Sequence, residues 1–172
     1  AKIFSTLDSA GAYHAVEIHP ESRECTAFTT PFGQFQFVRM PFGLSNAGAC
    51  YSCLVALALQ YLPGHFALAY LDDIVIFSDN ISERVKELRQ VLDVHRQFGM
   101  KLKLSKCKVL QEQVEYLGHL VSEDGIRMVP SYVNKILEWP LPQTGKQLKQ
   151  FLVFIGYYRG IRIRIRIRIF IC

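Results

Sequence analysis

The most constraining feature of this chain is a pair of acids inside an apolar run. Phe66-Ala-Leu-Ala-Tyr-Leu71 and Ile74-Val-Ile-Phe-Ser78 are strand-like, and Asp72-Asp73 joins them. Two residues is the commonest loop length in a β-hairpin, so the run predicts two antiparallel strands with carboxylates at the tip. A third acid, Asp8, ends another short apolar strand, Ile3 to Leu7. Acids beside buried strands are costly unless something pairs them. A hard divalent cation such as Mg²⁺ is one such partner, because it prefers oxygen ligands. An ordinary acidic turn accounts equally well for the spacing alone.

The rest of the chain reads as alternating short elements. Tyr13 to Ile18 alternates and predicts a strand that His19-Pro20 stops. Residues 26–30 and 34–40 flank Pro31-Phe32-Gly33 and predict two strands and a turn. Residues 40–71 contain no Asp, Glu, Lys or Arg. Pro63-Gly64-His65 interrupts this stretch, so it predicts a buried helix, capped by Ser45 or Asn46 and running to about Tyr61, and not a membrane span. Cys50 and Cys53 should then form part of a buried helix wall. Ser82 is the expected cap of a second, amphipathic helix with Val85, Leu88, Leu92 and Phe98 on its apolar stripe and Gly99 as its stop. Residues 114–121 and 126–129 flank Glu123-Asp124-Gly125 as a further hairpin, and helices are expected over 131–139 and 145–158. The order gives an α+β fold with helices on one face of an antiparallel sheet.

Composition excludes little but redirects one inference. The formal charge of +5 suggests a polyanionic partner. Residues 160–172 hold Arg162, Arg164, Arg166 and Arg168 in an Ile-Arg repeat with no acid. Without those four, 16 basic residues face 15 acidic ones, a balance of +1. The basicity therefore belongs mostly to a low-complexity tail. Five scattered cysteines do not form a secreted disulfide framework, and no apolar run follows a basic start.

Several blocks occur in one order. Leu7-Asp8 with Ala12-Tyr13-His14 comes first, then Thr26-Ala-Phe-Thr-Thr-Pro-Phe-Gly33 and Arg39-Met-Pro-Phe-Gly-Leu-Ser-Asn-Ala47. Tyr70-Leu71-Asp72-Asp73 follows, a YxDD box. Leu102-Lys-Leu-Ser-Lys-Cys107, Glu115-Tyr-Leu-Gly-His119 and Phe151-Leu152 with Gly156-Tyr-Tyr-Arg159 complete the series. This ordered set resembles the reverse transcriptases of gypsy-type LTR retrotransposons over roughly residues 3–159.

The resemblance implies a reverse-transcriptase palm over 1–112, a primer-grip hairpin with a partial thumb and the start of the connection over 113–159, and the Ile-Arg tail over 160–172. It places the fingers before residue 1, so they are largely missing. It implies RNA-directed DNA polymerisation, with Asp8, Asp72 and Asp73 as catalytic ligands of two Mg²⁺ ions, for which Mn²⁺ can substitute. Tyr13 corresponds to an aromatic gate against a ribose 2′-hydroxyl, and Phe42 and Gly43 to nucleotide-pocket residues. Tyr116, Leu117, Gly118 and His119 correspond to the primer grip, and Lys106 to a general-acid candidate. The implied partners are an RNA or DNA template-primer duplex, a dNTP, and the protease, RNase H and integrase domains of a parent polyprotein, with no membrane. The implied setting is a cytoplasmic retrotransposon particle. Two positions depart from the family pattern: Gly48 replaces a usual proline and Val153 a usual glycine. The alternative expectation is a catalytically inactive remnant that binds nucleic acid.

Overall fold

In a computed structural model of the chain, which describes residues 1–158, the polypeptide divides into two compact units, residues 1–114 and residue 115 onward. The Ile-Arg tail and Arg159 lie outside the described residues.

The first unit is built on a sheet of order β4-β5-β1-β6, with β7 also pairing β1. These strands span β1 Ile3–Ala10, β4 Ala67–Tyr70, β5 Asp73–Ser78, β6 Lys101–Leu102 and β7 Lys108–Gln111. All of their pairings are antiparallel. A separate hairpin pairs β2, Phe28–Thr30, with β3, Gly33–Phe35. Helices α1, Ala47–Gln60, and α2, Ile81–Gln97, pack against the sheet. Leu7, Ile74 and Ile76 from the strands meet Tyr51, Val55 and Ala58 from α1 and Val91 and Val94 from α2. Strand alternation puts these apolar residues on one face and leaves the intervening positions for the other.

Several expectations shift for identifiable reasons. The catalytic-looking hairpin turns at Leu71-Asp72, not at Asp72-Asp73, and Asp73 is already a strand residue. Tyr13–Ile18 is not a strand. Gly11 adopts a left-handed φ of 59°, turns the chain off β1, and starts a 3-10 turn over Ala12–Ala15. Strand-like pairing there is an isolated antiparallel Glu17–Arg39 bridge, flanked by backbone bonds from Ile18 to Val38 and from Met40 to Val16. The second strand of the first hairpin ends at Phe35, well short of the expected 40. Helix α1 is not buried all round: Cys50, Cys53 and Leu57 are exposed, because the sheet and α2 cover only one side of it. The cap of α2 is Asn80, whose side-chain oxygen accepts from the Glu83 amide at 2.9 Å, and Ser82 lies inside the first turn.

The second unit contains β9, His119–Ser122, paired with β10, Gly125–Met128, and β8, Gln113–Tyr116, extends that sheet. The expected strand over 114–121 is broken at Leu117-Gly118, where both residues have positive φ. Helices α3, Pro130–Leu137, and α4, Gly145–Gly156, follow. Thr144 and Gln147 form a reciprocal capping box at the start of α4. Met128, Ile136 and Tyr158 form its small core with Tyr132, Phe151 and Phe154.

One buried cation ties the first unit together. Arg84 of α2 is fully buried and donates to the Ile3 carbonyl at 2.6 Å and to Glu87 at 3.3 Å. It thereby fixes the start of β1. Arg84→Met keeps the apolar stem but removes both bonds, so the denaturation midpoint should fall by an amount equal to about 1–3 kcal/mol. An unchanged or raised midpoint in a urea titration would show that burying the guanidinium costs as much as its bonds return.

Candidate active site

The register of β1 against β5 assembles the acidic residues. Asp8 stands directly opposite Asp73, one step beyond the buried Leu7–Ile74 pair. Asp72 sits at the adjoining turn, and its carbonyl accepts from the Ser9 amide at 3.0 Å. The turn residue before it, Leu71, has a φ of 54°, a left-handed conformation that is strained for a leucine. The Asp8–Asp73 pair and the adjoining Asp72, from two distant segments, therefore lie at one end of the sheet.

Lys106 joins them. Its Nζ lies 3.0 Å from Asp8 Oδ2, and the Lys103 amide donates to the Asp8 carbonyl at 2.8 Å. The hydrogen bond to Asp8 and the Asp8 charge hold the Lys106 ammonium above its ordinary pKa, so it is a cation at neutral pH. The Asp73 carboxyl is pushed up from the usual carboxylate range by burial first, then by the charges of Asp72 and Asp8, with Lys106 opposing. The site thus carries mutual carboxylate repulsion that a cation relieves.

This donor set fits a hard divalent ion. Mg²⁺ is commonly held by one or two carboxylates, with water or phosphate oxygens completing its shell. Asp8 and Asp73, adjacent across the strands, suit that mode, and Asp72 flanks them. Among the described residues no three acids, histidines or cysteines are grouped closely enough to hold a metal ion, so the fit rests on the Asp8–Asp73 pair.

An aromatic group stands beside the acids. Tyr13 packs on Phe42 with ring centroids 5.4 Å apart and meets the fully buried Tyr51 edge-on at 6.1 Å. His14 also meets Phe42 edge-on at 5.3 Å. Phe42 is 68% exposed, and Gly43 beyond it has a φ of 92° with open space where a side chain would begin. Arg39 positions this group: it donates to the carbonyls of His14 and Ala15 at 3.1 Å each and to Glu17 at 2.9 Å. The Met40 amide adds a bond to the Val16 carbonyl. The Tyr13 turn and the Phe42 segment are thus laced together.

Sequence reasoning singled out neither Arg39 nor Tyr51. Arg39 was visible only as one letter of a motif block. Tyr51 lies in an unbroken apolar stretch, where nothing distinguishes it from a core residue. Its hydroxyl and the Ser9 hydroxyl lie close together beneath the acids, both buried and neither in a well-formed hydrogen bond. Burial first, and then the Asp72 charge, raise the Tyr51 pKa, so the phenol stays neutral.

The remaining nominated residues, Tyr116, Leu117, Gly118 and His119, surround the turn between β8 and β9. Tyr157 donates its hydroxyl to the Leu117 carbonyl at 2.8 Å, and its ring stacks on that of His119.

The chain belongs to the reverse transcriptase (RNA-dependent DNA polymerase) family, whose sequence model matches residues 1–121. Its relatives include Pol polyproteins of gypsy-type LTR elements. It is 38% identical over 156 residues to the retrovirus-related Pol polyprotein from transposon 297 of Drosophila melanogaster, covering 91% of this chain and 15% of that protein. It is 36% identical over 159 residues to the corresponding polyprotein from transposon gypsy of the same species, covering 92% and 15%. The chain therefore spans about one-seventh of the length of these relatives. Among solved structures, it is similar to a foamy viral protease-reverse transcriptase in complex with double-stranded DNA, with a TM-score of 0.83 and 29% identity over 92% of this chain and 28% of that one. A foamy viral protease-reverse transcriptase in complex with an RNA/DNA hybrid gives a TM-score of 0.79 at 29% identity, covering 92% of this chain and 21% of that one.

The raised Asp73 pKa fixes the sign of a stability effect. The folded state holds this proton more tightly than the unfolded chain does, so ionisation of Asp73 costs stability at neutral pH. Asp73→Asn should raise the thermal midpoint at pH 7. The gain should shrink as pH falls through the carboxylate range, where Asp73 is already neutral. A gain that is absent at pH 7, or larger in acid, would contradict the raised Asp73 pKa.

Proposed function

We propose that this chain supplies the polymerising site of an RNA-directed DNA polymerase, which extends a primer 3′-hydroxyl with deoxynucleotides. The observation that carries the reading is Asp8 directly opposite Asp73, with Asp72 at the adjoining turn. Asp8, Asp72 and Asp73 would hold two Mg²⁺ ions, or Mn²⁺ in their place. Bound there, the metal would supply Lewis-acid stabilisation of charge on the attacking and leaving oxygens.

The chain's own residues do the positioning. The Tyr13 ring, backed by Tyr51 and packed on Phe42, presents a rigid wall to the incoming sugar. A deoxyribose clears such a wall and a 2′-hydroxyl collides with it. Phe42 and Gly43 line the pocket, and the unfilled side of Gly43 lets a ligand approach the backbone. Lys106 neutralises Asp8 and offers a proton at Nζ near the phosphates, the role of a general acid. Residues 116–119 grip the primer end.

The partners of this reading are an RNA or DNA template-primer duplex and a dNTP. The duplexes bound by the similar foamy viral proteins support that choice. The Pol polyproteins among the relatives support a parent polyprotein, whose other domains would be protease, RNase H and integrase. The setting proposed is a cytoplasmic retrotransposon particle. No helix among the described residues is long and apolar enough to cross a membrane.

Gly48 favours a second reading, a remnant that binds nucleic acid without catalysis. Glycine in the first turn of α1 loosens the helix by up to about 1 kcal/mol relative to alanine. A side chain there would meet Leu71 and the Tyr13 hydroxyl at 3.8 Å, an ordinary contact, so the glycine leaves slack next to the gate.

Primer extension on an RNA template with Mg²⁺ separates the two readings. The 172-residue chain should incorporate deoxynucleotides. The Asp72→Asn, Asp73→Asn double variant should lose at least about a hundredfold in rate. Folded protein that binds the duplex but incorporates nothing would place the chain with the remnants.

A further inference from the structure

The turn between β8 and β9 is held by residues forty positions away in sequence. Leu117 and Gly118 form its two-residue loop, with φ of 49° and 72°. Both values are left-handed, which glycine accepts and leucine resists. A turn built on leucine at such a position needs outside support.

That support comes from the end of α4. The Tyr157 hydroxyl donates to the Leu117 carbonyl at 2.8 Å. Its ring lies nearly parallel to the His119 imidazole, with centroids 5.3 Å apart and planes 8° apart. The buried His119 Nδ1 has no hydrogen-bond partner among the described residues, so on that side stacking fixes the ring. Tyr158 closes the other flank. It is buried, meets His119 edge-on at 5.5 Å, and sets its hydroxyl 3.3 Å from where a side chain on Gly118 would begin.

We propose that Tyr157 is a positioning residue for the primer end. It acts through the Leu117 carbonyl and the His119 ring. The proposal rests on the reading of residues 116–119 as the primer grip. The physical link is the peptide unit between Leu117 and Gly118. A trans peptide points its N–H opposite its C=O. Tethering the Leu117 carbonyl to Tyr157 therefore aims the Gly118 amide away from α4. An amide fixed in direction is a donor suited to a phosphate oxygen, here a phosphodiester near the primer terminus. Without the tether, the peptide plane is free to rotate and the donor loses its aim. Tyr157 supplies no contact to the reacting atoms in this scheme.

The test uses the whole 172-residue chain and two hybrids of equal duplex length. One is a DNA primer with a recessed 3′ end on a longer RNA template, and the other is blunt. Fluorescence anisotropy gives the ratio of the two affinities. Tyr157→Phe keeps the ring and removes only the hydroxyl. It should lower the preference for the recessed end by about fivefold, the worth of one neutral hydrogen bond. Affinity for the blunt hybrid should not change and the melting midpoint should fall by no more than the loss of that one bond, while hydrogen exchange at the Gly118 amide should quicken. Gly118→Ala disturbs the turn directly, by φ and by the contact with Tyr158. An unaltered ratio in Tyr157→Phe beside a lowered ratio in Gly118→Ala overturns the proposal and leaves the grip standing. Equal losses on both hybrids in Tyr157→Phe also overturn it, since the hydroxyl would then be structural only. Retained preference in Gly118→Ala, or no preference in the unaltered chain, removes the grip reading and the proposal with it.

Discussion

The pairing of β1 with β5 is the constraint on which the rest depends. Leu7 opposite Ile74 is buried, and the next step brings Asp8 opposite Asp73. Because side chains alternate, a one-residue slip of β1 would send Leu7 to the acid side and draw Asp8 toward the core. Burying either aliphatic side chain is worth about 1.5–3 kcal/mol, so the apolar core locks the register that the acids need. The acids contribute nothing comparable. Burial first, and then the charges of Asp72 and Asp8, raise the Asp73 pKa, and the Lys106–Asp8 contact is too exposed to offset much of that. The fold holds Asp8 and Asp73 opposite each other at a cost in electrostatic repulsion.

The aromatic tier follows from the same frame. Tyr51 reaches Tyr13 because α1 packs its Tyr51-Val55-Ala58 face onto β1 and β5. Tyr13 then meets Phe42 because Arg39 and Met40 tie the two segments through backbone carbonyls. Tyr13 and the acids thus share one support, and a shift of α1 would move both. The left-handed φ of Leu71 and the unsatisfied hydroxyls of Ser9 and Tyr51 lie in this region as well.

Much of this was legible in the sequence. The strands β4 and β5, the amphipathic α2 and the Thr144 cap follow from local patterning. The ordered motif blocks carried the family. The misses have physical causes. Strands β6 and β7 are too short to alternate and exist only because β1 offers them an edge. Tyr13–Ile18 alternates like a strand, yet the left-handed Gly11 sends it into a 3-10 turn. Leu117 has none of the usual turn chemistry, so the break between β8 and β9 was invisible until Tyr157 and Tyr158 were seen against it. The outward face of α1 was read as buried because an apolar sequence does not say how many neighbours a helix has.

In the proposed function, two distant segments make one divalent-cation site, and paramagnetic Mn²⁺ reads it through the amide resonances of the labelled chain. Broadening should centre on Asp8, Ser9, Asp72 and Asp73 and should disappear in Asp8→Asn. Broadening centred instead on the exposed Glu123-Asp124 turn, or unchanged in Asp8→Asn, would show that the paired carboxylates are not the site.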